Sequence, residues 1–137
     1  MQLEPYIYFH GTCEEALTFY ARCLDGRIAA LNRITGSPVE GETPPEYHDK
    51  VMHAAFEADG VRFMASDGRP GTPPHGEDDI ALSLAMEDPD RAKCIFEALA
   101  EGGEVTMPFQ DAFWGGKFGS LTDRFGIQWM LSAGSPS

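Results

Sequence analysis

The segment KVMHAAFEADGVRFMAS, residues 50 to 66, carries an imidazole, a carboxylate and a guanidinium within ten positions. Apolar Met52, Ala54 and Phe56 alternate with His53, Ala55 and Glu57, the period of a half-buried strand, so His53 and Glu57 fall on one face. Arg62 follows the Asp59-Gly60 turn signal, on the return strand of a hairpin. A histidine titrates near neutral pH, and with Glu57 or Arg62 beside it can act as general acid or base, the arginine clamping an anionic substrate. The competing reading is a strand histidine satisfied by a cross-strand hydrogen bond. His10, His48 and His75 fall at strand ends or in loops, where solvation is the default. His48 with Glu46 and Asp49 matches no strong metal motif. Nucleophilic catalysis has little support, because there is no G-x-S-x-G and no cysteine adjoins a histidine. Cys13, Cys23 and Cys94 lie in helix-like patterns and read as reduced packing residues.

The elements that must position these groups show a rhythm. LEPYIYF (3 to 9) is strand-like, and Thr12 with Glu15 has capping-box spacing before a helix predicted near 12 to 25. Ala16, Phe19, Tyr20, Cys23 and Leu24 form its apolar face, and Gly26 supplies a stop. A strand RIAALNRI (27 to 34), a Pro/Gly/Glu-rich loop TGSPVEGETPPEYHD and the hairpin follow, and then DGRPGTPPHGEDD (67 to 79) reads as a linker. After it the pattern restarts. IALSLAM is a strand, and Asp88-Pro89 is an N-cap with an N1 proline opening a helix predicted near 88 to 101. Its apolar face, Ala92, Ile95, Phe96, Leu99 and Ala100, lies 76 residues after that of the first helix. DGVRFMAS (59 to 66) matches FGIQWMLS (125 to 132) at an offset of 66, and the longer loop of the first half accounts for the difference. The chain therefore reads as one domain, 1–137, built by duplicating a βαβββ unit: module one about 3–66, linker 67–79, module two about 80–132.

Composition narrows the partners. With 137 residues and 42% apolar content the chain is long enough for a compact core. A formal net charge of −12 with ten Lys plus Arg excludes a cationic footprint for nucleic acid or an anionic membrane surface. There is no signal-peptide pattern and no apolar run of about 18 residues, so a cytoplasmic protein is expected. Alternation in FGIQWMLS turns Trp129 with Ile127 and Leu131 toward a core. Trp114, in FWGG, lies outside any repeat match and is either a loop anchor or a pocket wall.

The duplicated unit, the EEALTFY helix and the DG and FG turns before closing strands resemble the vicinal-oxygen-chelate superfamily of glyoxalase and bleomycin-resistance proteins. Within it, PYIYFHGTCEEALTFY, KVMHAAFE, FMASDG and FWGGKFGSLTDRFGIQWM are similar to the PhnB-like branch, often labelled demethylubiquinone methyltransferase-like. The resemblance implies an α+β fold: two tandem βαβββ modules whose curled antiparallel or mixed sheets surround a cavity, with one helix outside each. It also implies a homodimer. Enzymes of the superfamily hold a divalent metal with His, Gln or Glu from the first and last strands of each module, and carrying those slots over gives Pro5, Met64, Ala81 and Met130. None suits a hard cation, so no metal is expected. The same register turns Ile7, Phe9, Arg62, Met64, Ser66, Ser83, Gln128 and Met130 toward the cavity, joined by His53 and Glu57, and Tyr6, Tyr8, Phe63, Leu82, Leu84, Ile127 and Trp129 toward the helices. Phe9, Arg62, Met64, Ser83, Trp114, Gln128 and Met130 form the candidate ligand set, and His53 with Glu57 the candidate catalytic pair. No glycine-rich strand-to-helix turn is present to hold a nucleotide cofactor, so none is expected. The leading expectation is a metal-free protein that binds an apolar or aromatic small molecule. The alternatives are a metal-free enzyme using His53, Glu57 and Arg62, and a metalloenzyme whose ligands moved to His53, Glu57 and loop histidines.

Overall fold

The computed structural model describes residues 4–68, 80–112 and 115–134, and the chain divides into two compact units, Met1–Pro74 and His75–Ser137. The first contains β1 (Tyr6–Tyr8), α1 (Cys13–Leu24), β2 (Arg27–Arg33), β3 (Val51–Ala58) and β4 (Val61–Ser66). Its sheet runs β1-β4-β3-β2, with β1 parallel to β4 and the other pairs antiparallel. The second contains β5 (Leu82–Met86), α2 (Pro89–Ala100), β6 (Glu104–Asp111), β7 (Lys117–Thr122) and β8 (Gln128–Ala133), in the order β5-β8-β7-β6 with β5 parallel to β8. The topologies are identical, so the fold is α+β with tandem βαβββ modules and mixed sheets. Both helices are 12 residues long.

In module one α1 packs on β2 and β3, and the buried ring of Tyr20 gathers the core. It lies 6.1 Å from Phe63 and 6.4 Å from both Phe56 and Phe9, while Phe56 and Phe63 stack at 5.0 Å. The edge-on pairs of Tyr20 with Phe56 and Phe63 and the stacked Phe56–Phe63 pair add about 0.5–1.5 kcal/mol each beyond area burial. In module two α2 packs on β6, β7 and β8, burying Ala92, Ile95, Phe96 and Leu99. Gly119 of β7 lets the helix approach, because a Cβ there would stand 2.8 Å from Phe109 Cα and 2.9 Å from the Phe96 ring. Strand β6, EVTMPFQD, alternates Val105, Met107 and Phe109 with polar residues and Pro108, yet its burial does not alternate, and every residue but Phe109 is exposed. It is an edge strand, where Pro108 breaks no ladder, and two register shifts interrupt its pairing with β7.

The helix starts differ from expectation in one module. Asp88 caps α2 as anticipated, its Oδ1 accepting from Asp90 N–H at 2.9 Å. Thr12 makes no side-chain cap on α1. Asp67, expected to open the linker, is buried and does that work from the end of β4: Gly11 and Cys13 N–H donate to its Oδ1 at 2.9 and 2.8 Å, and Val51 N–H to its Oδ2 at 2.8 Å. At the other end of α1 the left-handed residue is Asp25, at φ 53°. Gly26 is required by packing instead, since a Cβ would sit 2.7 Å from Glu57 O and 2.8 Å from Phe56 Cζ.

Candidate functional site

Strand pairing sets which side chains share a face. In module one Tyr6 pairs with Met64 and Tyr8 with Ser66, while Ala55 pairs with Met64 and Glu57 with Arg62. Tyr6, Tyr8, Arg62, Met64, His53 and Glu57 therefore lie on the face away from α1, and Phe56, Phe63 and Ala65 on the face toward it. This reverses the expectation for β1. Phe9 is 2% exposed, its ring against Tyr20 on the helix side, whereas Tyr8 is 57% exposed. The cause is a one-residue slip. Pairing aligns Tyr6 with Ser83, an offset of 77, while the helices align at 76, and the connection from β1 to α1 absorbs the extra residue. The expected metal slots move as well: in module one the slip sets Met64 beside Tyr6 rather than Pro5, and in module two Met130 pairs with Ser83, two residues along from Ala81 on the same face. The revised slots offer a phenol, a hydroxyl and two thioethers, which still do not fit a hard divalent ion. Among the described residues no three His, Cys, Asp or Glu side chains come together as a metal-binding group.

The charged residues of this face are committed to one another. Glu57 binds Arg27 at 2.9 Å through Oε1 and Arg62 through Oε2, and Arg62 Nε also meets Glu4 at 2.9 Å. Arg62 is thus held by two carboxylates. Glu57 stands about 13 Å along the strand from His53, four residues at ~3.3 Å each. His53 is half-buried beside the Tyr6 ring, 6.0 Å between centroids, and Tyr6 lies 5.0 Å from Tyr8. Its ring nitrogens have no hydrogen-bond partner among the described residues. The structure thus groups His53 with two tyrosines rather than with Glu57 and Arg62.

A cavity of about 650 Å³ lies next to this cluster, under the 35–50 loop. Ile34, Val39, Pro44 and Met52 supply apolar walls, Glu42 and Thr43 polar ones, and Gly68 closes one side. Met52 was expected on the helix side. A β-bulge sets Val51 and Met52 opposite Arg33, so Val51 enters the core at 1% exposure and Met52 lines the cavity. Gly68 lies beside Tyr8, a Cβ there falling 3.7 Å from its ring. The loop is held from within by His48, whose Nε2 lies 2.9 Å from Thr43 O and 3.1 Å from Glu40 O. To donate to carbonyls that nitrogen must carry its hydrogen. The His48 carbonyl in turn accepts from Thr35 N–H and Oγ1, both at 2.9 Å. This wall was not legible in the sequence, because a Pro/Gly/Glu-rich loop has no periodicity to read.

The corresponding face of module two is neutral over most of its area. Ser83 pairs with Met130, Met130 with Ser120 and Gln128 with Thr122, and Thr106 Oγ1 meets Ser120 Oγ at 2.7 Å. Trp129 is 1% exposed and donates from Nε1 to Asp123 Oδ2 at 2.9 Å. Asp123 Oδ1 accepts from Phe125 N–H at 2.8 Å and Ile127 N–H at 3.0 Å, which closes the β7–β8 turn. Trp114 and His75 lie outside the described residues. Of the cysteines, Cys13 is buried, and burial first, then the Asp67 and Glu14 charges, push its thiol up to about 12.

Two four-stranded mixed sheets, each with one parallel closing pair and one helix, define the vicinal-oxygen-chelate class. A glyoxylase/bleomycin resistance protein/dioxygenase domain from Frankia sp. EAN1pec shares this fold, at 17% identity and a TM-score of 0.67 over 98% of this chain and 97% of that one. The chain belongs to the family described as 3-demethylubiquinone-9 3-methyltransferase, matched over residues 1–132, and to its PhnB-like branch. It is 37% identical to protein PA1353 from Pseudomonas aeruginosa, with a TM-score of 0.82 covering 96% of this chain and 98% of that one. It is 26% identical to a PhnB protein from Bacillus cereus, described as a putative 3-demethylubiquinone-9 3-methyltransferase, with a TM-score of 0.81 covering 97% and 99%.

Proposed function

We propose that this protein binds a small, largely apolar molecule in module one without the divalent metal of its superfamily. The observation that carries the reading is the cavity under the 35–50 loop, whose size and mostly apolar walls suit a small-molecule site. The Tyr6, Tyr8 and His53 cluster next to it supplies aromatic surface and one titratable group, and Met64 and Arg62 share its face. Ser83, Gln128 and Met130 provide a neutral polar surface in module two for the same role. A homodimer and a cytoplasmic setting belong to the same proposal, and no helix among the described residues is long and apolar enough to cross a membrane.

The test is a binding screen of small aromatic and aliphatic compounds against the full chain and Met52→Trp, which fills the cavity. Hits that survive Met52→Trp unchanged defeat the placement of the site. Protein purified without an affinity tag and dialysed is expected to carry well under one equivalent of Zn, Ni, Mn or Fe. A stoichiometric metal that resists a weak chelator defeats the metal-free half.

A second reading is an enzyme in which His53 moves a proton. Its half-buried ring, without a hydrogen-bond partner among the described residues, lies beside Tyr6 and next in sequence to the cavity residue Met52. Loss of turnover in His53→Gln, with ligand binding retained, supports it. The family description suggests methyl transfer, which requires a methyl donor. Nucleotide-type cofactors are commonly seated where a helix opens after a glycine-rich turn. Here the N-terminus of α1 is closed by the Asp67 carboxylate and that of α2 by Asp88. These residues do not fit such a donor.

A further inference from the structure

The walls of the module-one cavity also constrain the charge of what it holds. Resting on the binding reading above, we infer that the cavity selects ligands that are neutral or carry a protonated amine and disfavours carboxylates and phosphates, with Glu42 as the selecting group. Glu42 is the one charged residue among the described residues lining the cavity, and it is solvent-exposed. No ion pair engages it among the described residues. Among the described residues, the cations beside the loop, Arg33 and Lys50, do not line the cavity. Lys50 Nζ donates to Gly11 O at 3.1 Å, and Arg33 binds Glu14 and Asp49 O, each at 2.9 Å. An anion pressed against Ile34, Val39, Pro44 and Met52 would lose water and gain no counter-charge from the described lining residues, whereas an ammonium group would gain the Glu42 carboxylate. The Thr43 hydroxyl does not offset this, since it donates to Val39 O at 2.7 Å.

The longer-range field acts in the same direction. The 35–50 loop carries Glu40, Glu42, Glu46 and Asp49 against Lys50, and the whole chain has a formal net charge of −12. Such a field concentrates cations at the surface and repels anions, and salt weakens it.

Three probes on one skeleton separate the charge inference from the binding reading: naphthylmethylamine, a cation at neutral pH, naphthylmethanol, which is neutral, and naphthoate, an anion. Titrated calorimetrically into the full chain at low salt, the amine and the alcohol are expected to bind, and the carboxylate to bind about tenfold more weakly than the amine. Glu42→Gln is expected to weaken the amine about threefold and leave the alcohol unchanged. Naphthoate binding as tightly as the amine, or an amine-to-alcohol ratio unmoved by Glu42→Gln, overturns the charge inference while the binding reading stands. Binding of none of the three overturns the binding reading and the inference with it.

Discussion

The two modules share one strand order and two helices of equal length, yet they satisfy the same physical demands with different groups. The amide hydrogens opening α1 are taken by Asp67, 54 residues away from Cys13 in the chain, while those opening α2 are met locally by Asp88. Ala133 pairs with Met86 as the last residue of β8, at the position matching Asp67, and α2 has no need of a carboxylate there. The second buried carboxylate, Asp123, has a different task, closing the β7–β8 turn and pairing with Trp129. Module one instead turns at Asp59-Gly60 and places Phe63 where module two has Trp129. Duplication thus preserves topology and core positions, while the polar contacts that lock each copy are free to diverge. The sheet faces turned away from the helices diverge in the same way. Module one carries aromatic and ionic groups and a cavity under a long loop, and module two is mostly hydroxyl, amide and thioether.

The sharpest break in that comparison is expected at the closing-strand aromatics. Trp129→Ala should cost about 3–5 kcal/mol from the cavity it leaves, with the Asp123 carboxylate losing a donor in addition. Phe63→Ala has only the packing loss, so the tryptophan variant should be the less stable of the two in matched urea denaturation. The reverse order would mean that Asp123 contributes nothing through Trp129. Next in size is Asp67→Ala, which strands three backbone N–H groups and should cost about 3 kcal/mol, against about 1 kcal/mol for Asp88→Ala. Equal costs would erase the distinction between a helix opened from across the fold and one opened locally.

A smaller effect appears with pH. The Cys13 thiol rises in the folded state from an ordinary 9.0 to about 12, so its contribution is complete below its unfolded value and is lost as pH climbs toward the folded one. Stability should therefore fall with a slope approaching 1.4 kcal/mol per pH unit, at most about that, between those values. Cys13→Ala should be flatter over the same window, and a thiol reagent at neutral pH should label exposed Cys94 before Cys13. The smallest effect is expected at Glu14, whose carboxyl is held below its ordinary value by the hydrogen bond from Arg33. Its contribution is present above the ordinary carboxylate range and disappears as pH falls through the lowered value. Any difference between Glu14→Gln and the parent protein at neutral pH should vanish in about 1 M salt, and a difference that persisted there would point to packing rather than charge.

The repeat, both helices, the β3–β4 hairpin and the burial of Trp129 were legible in the sequence because each depends on a period of 2 or 3.6 residues over a short window. Residues that alternate or recur helically bury one face whatever lies opposite, so the pattern determines the element and its inner side. The same local reading placed His53 and Glu57 on one strand face, and pairing agrees, but it could not say what each would touch. Tertiary structure decided that Glu57 belongs to Arg27 and Arg62, and that His53 belongs to Tyr6. It also decided which side of β1 faces the core. A three-residue strand carries too little pattern to resist a one-residue slip in the connection that follows it. Met52 changed sides for a related reason, since a bulge is set by the partner strand and not by the sequence around it. Asp67 and the cavity wall were hidden for the most general reason. Their roles depend on amides and side chains far away in the chain, brought near only when the core closes, and no local window contains both partners.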